Sequence, residues 1–381
     1  MKHNAGWLGV VLAGLALQGG VIASEPAPRA PNVLIFYVDD MGWAQPSCYG
    51  GKLVATPYMD SIASNGVRFT QGYVSACICS PSRVGLMTGR YQARSGHDAN
   101  CLSGDVPEGR LRALAANETT FAQRMKSLGY VTGHIGKWHL GAAREHLPCS
   151  RGFDESFGST GNLGEGGGFF FRGLERVADP PEAPVTSRLY AREAVSFIRR
   201  HADRPWFLYL SFNAVHSPIV ARPETLRRFA DRTEREQAYA AMVAELDEAI
   251  GEVLAALAEL GAVSNTLVFC ISDNGGASPL AEMGGLRGRK WLLYEGGIRV
   301  SWLAQWPGRI PAGRTLETPV IQLDVLPTAL AAAGAPLPRQ AMPGIDLKSP
   351  KITRKLTTEW FARRVDERYR KCLARADGAA S

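Results

Sequence analysis

Apolar residues along this chain follow two rhythms. Asn32–Val38 (NVLIFYV) is an unbroken apolar run, the pattern of a strand covered on both faces. Trp206–Phe212 and Thr266–Ile271 read the same way, and Tyr130–Ile135 reads as a shorter strand. Elsewhere the period becomes helical: Tyr239, Met242, Val243, Leu246, Ile250, Val253, Leu254 and Leu257 share a face, stopped by Gly261. Thr56-Pro57 opens another helix as N-cap and first-turn proline, and Asn65-Gly66 closes it. A further helix runs from about Thr120 to Leu128 before Gly129. Strands alternating with helices predict an α/β fold, a mostly parallel central sheet with helices on both faces.

The chemistry sits where the strands stop. Asp39-Asp40 follow the first strand, and Lys137 and His139 follow the short one within Gly136-Lys137-Trp138-His139-Leu140-Gly141. His216 comes just after the third, and the fourth delivers Ser272-Asp273-Asn274-Gly275-Gly276. In sheets of this kind ligands bind outside the carboxyl ends of the strands. Four strands thus bring acidic, basic and imidazole groups to one edge. Asp39, Asp40, Asp273 and Asn274 offer only oxygen donors, which suits a hard cation such as Ca²⁺, whereas Zn²⁺ favours nitrogen or sulfur. With one divalent ion on the three aspartates, Arg83, Lys137 and Lys290 leave the site net positive, a setting for an oxyanion ester.

At 381 residues, 45% of them apolar, the chain has length and core for one large domain or two ordinary ones. Lys2 and His3 precede an apolar stretch from Trp7 to Ala23, followed by Ser24-Glu25-Pro26-Ala27-Pro28. Residues 1–23 therefore read as a secretory signal peptide, with no cysteine at its end for a lipid anchor. No later run is long and apolar enough to span a bilayer, so a periplasmic or secreted protein without a membrane anchor is expected. The formal charge of +7 favours anionic substrates but is diffuse, and no basic, aromatic-interleaved patch suggests nucleic acid. Seven cysteines in an exported chain permit disulfides, with Cys270, inside a strand-like run, expected as a buried thiol.

The most specific stretch is Cys79-Ser80-Pro81-Ser82-Arg83-Val84-Gly85-Leu86-Met87-Thr88-Gly89-Arg90, a cysteine in a proline-constrained turn running into a helix-like segment. From residue type alone Cys79 is a nucleophile, a metal ligand or half of a disulfide. The cysteine, proline and arginine at this spacing resemble the signature of the sulfatase family. The resemblance takes in Asp39-Asp40-Met41-Gly42, the Lys137 segment, Asn213-Ala214-Val215-His216 and Ser272-Asp273-Asn274-Gly275. It continues through Leu286-Arg287-Gly288-Arg289-Lys290 and Tyr294–Val300, to about Leu347.

That resemblance implies an alkaline-phosphatase-like sheet and hydrolysis of sulfate monoesters, arylsulfatase-like or N-acetylgalactosamine-6-sulfatase-like, with a sulfated carbohydrate as the expected substrate. Cys79 would be oxidised to formylglycine by a formylglycine-generating enzyme, and its hydrate would attack sulfur through a covalent sulfate intermediate. Asp39, Asp40, Asp273 and Asn274 would hold one Ca²⁺, with an oxygen of modified residue 79 completing the shell. Arg83 would fix the hydrate, and Lys137 would touch both it and a sulfate oxygen. His139 would accept the proton when sulfate is expelled. His216 and Lys290 would bind the sulfate, one of them protonating the leaving oxygen.

On this reading residues 24–347 form the catalytic domain. Family members usually continue into a smaller antiparallel domain. Here residues 348–381 read instead as a basic, helix-prone tail, so that subdomain is expected to be reduced or absent. The family usually has a small residue before the lysine at 290, where Arg289 stands. Gly161–Gly168 is expected as a loop at the pocket rim, Trp138 as packing, and His97 as near enough to the cysteine motif to reach substrate. Two other functions remain open on the sequence: a related phosphatase or phosphonate monoester hydrolase, and an inactive, truncated binder of sulfated glycans.

Overall fold

The computed structural model describes residues 30–101, 113–163, 168–178 and 186–335. Along the chain come β1 (Asn32–Val38), α1 (Pro57–Ser64), β2 (Val67–Phe69), β3 (Gly72–Tyr73), α2 (Cys79–Thr88), α3 (Phe121–Ser127) and β4 (Val131–Lys137). Then follow β5 (Glu155–Ser159), β6 (Phe170–Arg172), β7 (Glu175–Arg176), α4 (Thr186–Arg200), β8 (Trp206–Ser211), α5 (Pro223–Leu226) and α6 (Glu234–Glu259). The last are β9 (Thr266–Ser272), α7 (Glu295–Ile298), β10 (Trp302–Gln305), β11 (Arg314–Leu316), β12 (Val320–Ile321) and α8 (Val325–Ala332).

Ten strands form one sheet in the order β11-β2-β10-β9-β1-β8-β4-β5-β6-β7, and β12 pairs with β3 separately. The five central strands β9, β1, β8, β4 and β5 are mutually parallel. β10 runs antiparallel to both β9 and β2, and β6 to both β5 and β7. Side chains alternate across β1, as the pleat requires. Leu34, Phe36 and Val38 enter a core with residues of α1, α4 and α6, while Val33, Ile35 and Tyr37 enter a second core with residues of α2, α3 and α8. Burial on both faces explains why the strands read as continuous apolar runs.

The parallel register decides where the strands end. Val38 lies opposite Ser272, and Tyr37 and Gly136 both lie opposite Ser211. Their carboxyl ends are therefore level, and the residues that follow meet. Backbone bonds continue the match beyond the strands: Asp39 N–H to the Ala214 carbonyl at 3.0 Å, Asp273 N–H to the Val38 carbonyl at 2.9 Å. Gly136 is required for this approach. Its φ is +109°, and a Cβ there would lie 1.8 Å from the Ser211 carbonyl oxygen.

The expected mostly parallel α/β fold is present, with differences in detail. Cys79 is not in a turn but is the first residue of α2, because Pro81 falls within the first turn, where no amide donor is needed. β4 extends two residues beyond Ile135 and carries Lys137 itself. Thr56 occupies the N-cap position of α1 without a side-chain capping bond. Its hydroxyl instead serves the Ser47 amide at 2.8 Å, and the Tyr58 and Met59 amides donate to the Asp247 carboxylate at 3.1 and 2.8 Å. A carboxylate from α6 is the stronger acceptor for those amides. Thr120 does cap α3, in a capping box with Gln123. The signal segment 1–23, the tail 348–381 and residues 164–167 of the glycine-rich loop lie outside the described residues.

Candidate active site

Four strand ends and the start of α2 build the site. Asp39 and Asp40 leave β1, with Asp40 in the left-handed region at φ 61°, so its backbone turns back toward β9. The Asp40 amide donates to Asp273 Oδ1 at 3.1 Å, and the Met41 amide to Ser272 Oγ at 3.0 Å. Asn274 Nδ2 donates to Asp40 Oδ1 at 2.7 Å. At the start of α2, Cys79 Sγ lies 3.3 Å from Asp39 Oδ1 and 3.9 Å from Asp40 Oδ1. One ligand atom from each of Asp39, Asp40, Cys79 and Asp273 falls within 4.8 Å of all the others.

Cations enclose this acidic group. One turn into α2, Arg83 donates to Asp273 Oδ2 from Nε at 3.0 Å and Nη2 at 2.8 Å, with Asp39 Oδ1 at 3.4 Å. Its Nη1 donates to Ser211 Oγ at 2.5 Å and the Lys137 carbonyl at 3.1 Å, and the guanidinium lies over the Tyr37 ring. Lys137 from β4 pairs with Asp39 Oδ2. Lys290 donates to Asp40 at 2.7 and 2.8 Å. His216 Nε2 lies 3.6 Å from Asp40 Oδ2, while its Nδ1 must be the donor to the Ser217 carbonyl at 2.7 Å, which directs Nε2 at the site. His139, at φ 58° after β4, is buried with Nδ1 unpartnered.

The charges explain the titration of these groups. Burial opposes the ionised form of Asp39, but Lys137, His216 and Arg83 hold it well below the usual carboxylate range. Burial and the neighbouring Asp39 charge raise Asp273 to about 7, against Arg83. Burial, Asp273 and Asp39 push the Cys79 thiol well up, so the unmodified residue is held as a thiol rather than a thiolate. Burial, then Lys137 and Arg83, keep His139 neutral.

The donor set fits a hard cation. Three aspartates converge, and the Asn274 Oδ1 is buried without a hydrogen-bond partner. An orphaned acceptor beside three carboxylates is the arrangement an oxygen-coordinated divalent ion satisfies.

Nine of the ten residues singled out in the sequence thus meet through direct contacts, and His139 is buried beside them. Arg289 is partly exposed, whereas Lys290 is buried. His97 Nε2 meets the Cys101 thiol at 3.5 Å, and the Cys101 amide donates to Ser80 Oγ at 2.9 Å. Trp138 packs as expected, its indole donating to the His146 carbonyl at 2.8 Å. Cys270 is a buried thiol, and Cys48, Cys77, Cys101 and Cys149 are also unbridged. The sequence pattern assigned no role to Ser211 and Tyr209, which hold Arg83, or to Asn213, whose amide joins Tyr190, Ser159 and the Gly161 carbonyl. Their positions at the end of β8 were the available signal.

Comparison with known proteins agrees with this arrangement. The family model described as Sulfatase matches residues 31–335, and one described as a protein of unknown function matches 316–375. The chain is 34% identical over 370 residues to N-acetylgalactosamine-6-sulfatase of Canis lupus familiaris, covering 90% of this chain and 70% of that protein. It is 35% identical over 365 residues to human (Homo sapiens) arylsulfatase A, covering 87% and 69%. The crystal structure of Ps i-CgsB superposes with a TM-score of 0.78 at 30% identity, covering 86% of this chain and 77% of that one. With a family match spanning most of the chain, and relatives of this identity over most of their length, the protein belongs to the sulfatase family, hydrolases of sulfate esters.

Proposed function

We propose that this protein hydrolyses sulfate monoesters, sulfated carbohydrates among them, using a formylglycine derived from Cys79 and one Ca²⁺. The observation that carries the reading is the position of Cys79: fully buried, 3.3 Å from Asp39, among three aspartates, Arg83, Lys137 and Lys290. A thiol held protonated there is a poor nucleophile and an ill-matched ligand for a hard cation, whereas an oxygen at that position suits both tasks. Asp39, Asp40, Asp273 and Asn274 would hold the ion. When bound, the ion and the hydrated aldehyde supply Lewis acidity and two hydroxyls on one carbon, one to attack sulfur and one to permit sulfate release.

The remaining work falls to the chain's own side chains. Arg83 orients Asp273 and Asp39 and keeps both charged groups in place. Lys137 and Lys290 present ammonium groups toward the carboxylates, so a sulfate brought there meets positive charge on two sides. His139, neutral and with Nδ1 unpartnered, is available to accept the proton whose loss frees sulfate. His216 and Lys290 bind the sulfate, and the leaving oxygen takes its proton from one of them. A carbohydrate substrate is supported by likeness to N-acetylgalactosamine-6-sulfatase and to a structure of Ps i-CgsB in complex with k-i-k-neocarrahexaose, TM-score 0.75 at 29% identity. The apolar run at Trp7–Ala23 supports export, with maturation by a formylglycine-generating enzyme on the way. Among the described residues no helix is long and apolar enough to cross a membrane.

The test has two parts. Mass spectrometry of the peptide containing residue 79, from a host with the modifying enzyme, should show the aldehyde in place of the thiol. Turnover of an aryl sulfate should exceed that of the matching aryl phosphate. Preference for phosphate rejects sulfate ester hydrolysis, and an aldehyde without turnover on any sulfate ester points to a binder.

A further inference from the structure

Beside the site lies a cavity of about 790 Å³ that the sulfate-handling residues do not explain. Its walls include Val215, Ile219, Tyr239, Pro279, Leu280 and Trp291. The two catalytic candidates His216 and Lys290 are the chain neighbours of Val215 and Trp291, so two walls of the cavity adjoin the site along the chain. It is far larger than a sulfate, and its size falls in the range of pockets that bury whole small ligands.

Trp291 is the unusual wall. It is 62% exposed, next to a lysine that is almost wholly buried. Its backbone sits at φ 73°, a region that bulky residues avoid and glycine adopts freely. The strained conformation is held by its amide donating to the Cys77 carbonyl at 2.9 Å, two residues before Cys79. Lys290 Nζ lies 5.3 Å from the indole centroid. A turn needing only this geometry would be served better by glycine, and apart from its contact with the Lys290 ammonium most of the indole faces outward.

We propose that the cavity seats the leaving group of the sulfate ester, and that Trp291 is a specificity-determining residue that stacks the apolar face of a ring carrying the ester oxygen. The inference rests on the sulfate-ester reading above. A ring laid on the indole while its sulfate meets Lys290 and His216 would use both ends of the same substrate. Aryl rings and the C–H faces of sugars present the same chemistry to an indole.

The test compares the full-length protein with Trp291→Ala and Trp291→Gly on three substrates: a single-ring aryl sulfate, a 6-sulfated hexosamine and ethyl sulfate, which has no ring. Expected is a fall in kcat/KM of roughly tenfold on a ring substrate, carried mainly in KM, and a clearly smaller fall on ethyl sulfate. A fall confined to the aryl sulfate assigns the cavity to aromatic leaving groups; one that includes the hexosamine assigns it to sugars. Trp291→Gly should also melt no lower than the parent, since it relieves the left-handed strain. Leu293→Ala, an exposed neighbour outside the cavity wall, should leave all three rates unchanged. Equal losses on all three substrates, no loss on any, or a drop in melting temperature large enough to account for the loss would overturn the proposal. A parent protein inactive on every sulfate would instead sink the hydrolase reading.

Discussion

Arg83 grips Asp273 Oδ2 with both Nε and Nη2, at 3.0 and 2.8 Å, and neither side chain reaches solvent. The pair ties α2, which begins at Cys79, to the end of β9. Removing one partner leaves a buried charge uncompensated, which costs far more than the pair contributes. Arg83→Ala should therefore destabilise the fold by about 3–5 kcal/mol in denaturant titration and abolish activity. Arg83→Lys, which keeps the charge but loses the fork, should recover part of the stability and little of the rate. A stable, active Arg83→Ala protein would remove Arg83 from the site.

Bound Ca²⁺ should raise the melting temperature with increasing ion concentration, by mass action on the folded state. Asn274→Ala, which deletes the orphaned Oδ1, should weaken that dependence and lower affinity in calorimetric titration, on the order of tenfold. Chelation should abolish turnover, and re-addition of Ca²⁺ should restore it. Equal Ca²⁺ affinity in parent and variant would argue against Asn274 as a ligand.

His134 gives a pH signature separate from catalysis. It is buried among Trp138, Phe153, Phe171 and Tyr209. Burial, with a smaller push from Arg83 and against the Lys137 backbone, lowers it from 6.5 to about 3. Between those values the unfolded chain binds a proton that the folded chain refuses, so stability falls as pH drops from 6.5 toward 3 and is unaffected by this residue above 6.5. The full loss is up to about 5 kcal/mol. His134→Phe should flatten this part of the stability–pH curve. Parallel curves for parent and variant would disprove the assignment.

Lys290 and Arg289 are adjacent cations with different fates. Lys290 is buried against Asp40 at 2.7 Å, whereas Arg289 is partly exposed. Lys290→Ala should lower kcat/KM on a sulfate ester by roughly a hundredfold or more, the scale of removing one preorganised charge. Arg289→Ala should stay within about twofold of the parent. Reversed effects in steady-state kinetics would exchange their roles.

Gly136→Ala should fold poorly or not at all. The added Cβ meets the Ser211 carbonyl oxygen at 1.8 Å, and a left-handed φ of +109° adds strain. Circular dichroism and expression yield of the variant check this; a normally folded Gly136→Ala protein would contradict the close approach of β4 and β8.

Much of the site was legible because each chemical residue follows an apolar run. Asp39 after Val38, His216 after β8 and Asp273 after Ser272 needed only the rule that parallel sheets bind ligands at their carboxyl ends. Trp291 was not legible. Its conformation depends on a backbone bond to Cys77, more than two hundred residues away in the chain, and neither period nor propensity carries such a contact. The Asp247 cap of α1 escaped for the same reason: Thr56-Pro57 is a sound local start signal, but a charged acceptor from α6 took the amides.

The parallel α/β class, the strand ends that carry chemistry and the residues there can be read along the chain alone, because burial on two faces and helical periodicity are local properties. That these ends are level follows from the packed fold. The register pairing Val38 with Ser272 and both Tyr37 and Gly136 with Ser211 is a property of three strands together. That same packing encloses the charges, and so it settles that Arg83 pairs with Asp273, that Lys290 rather than Arg289 turns inward, and that Cys79 is held as a thiol among carboxylates.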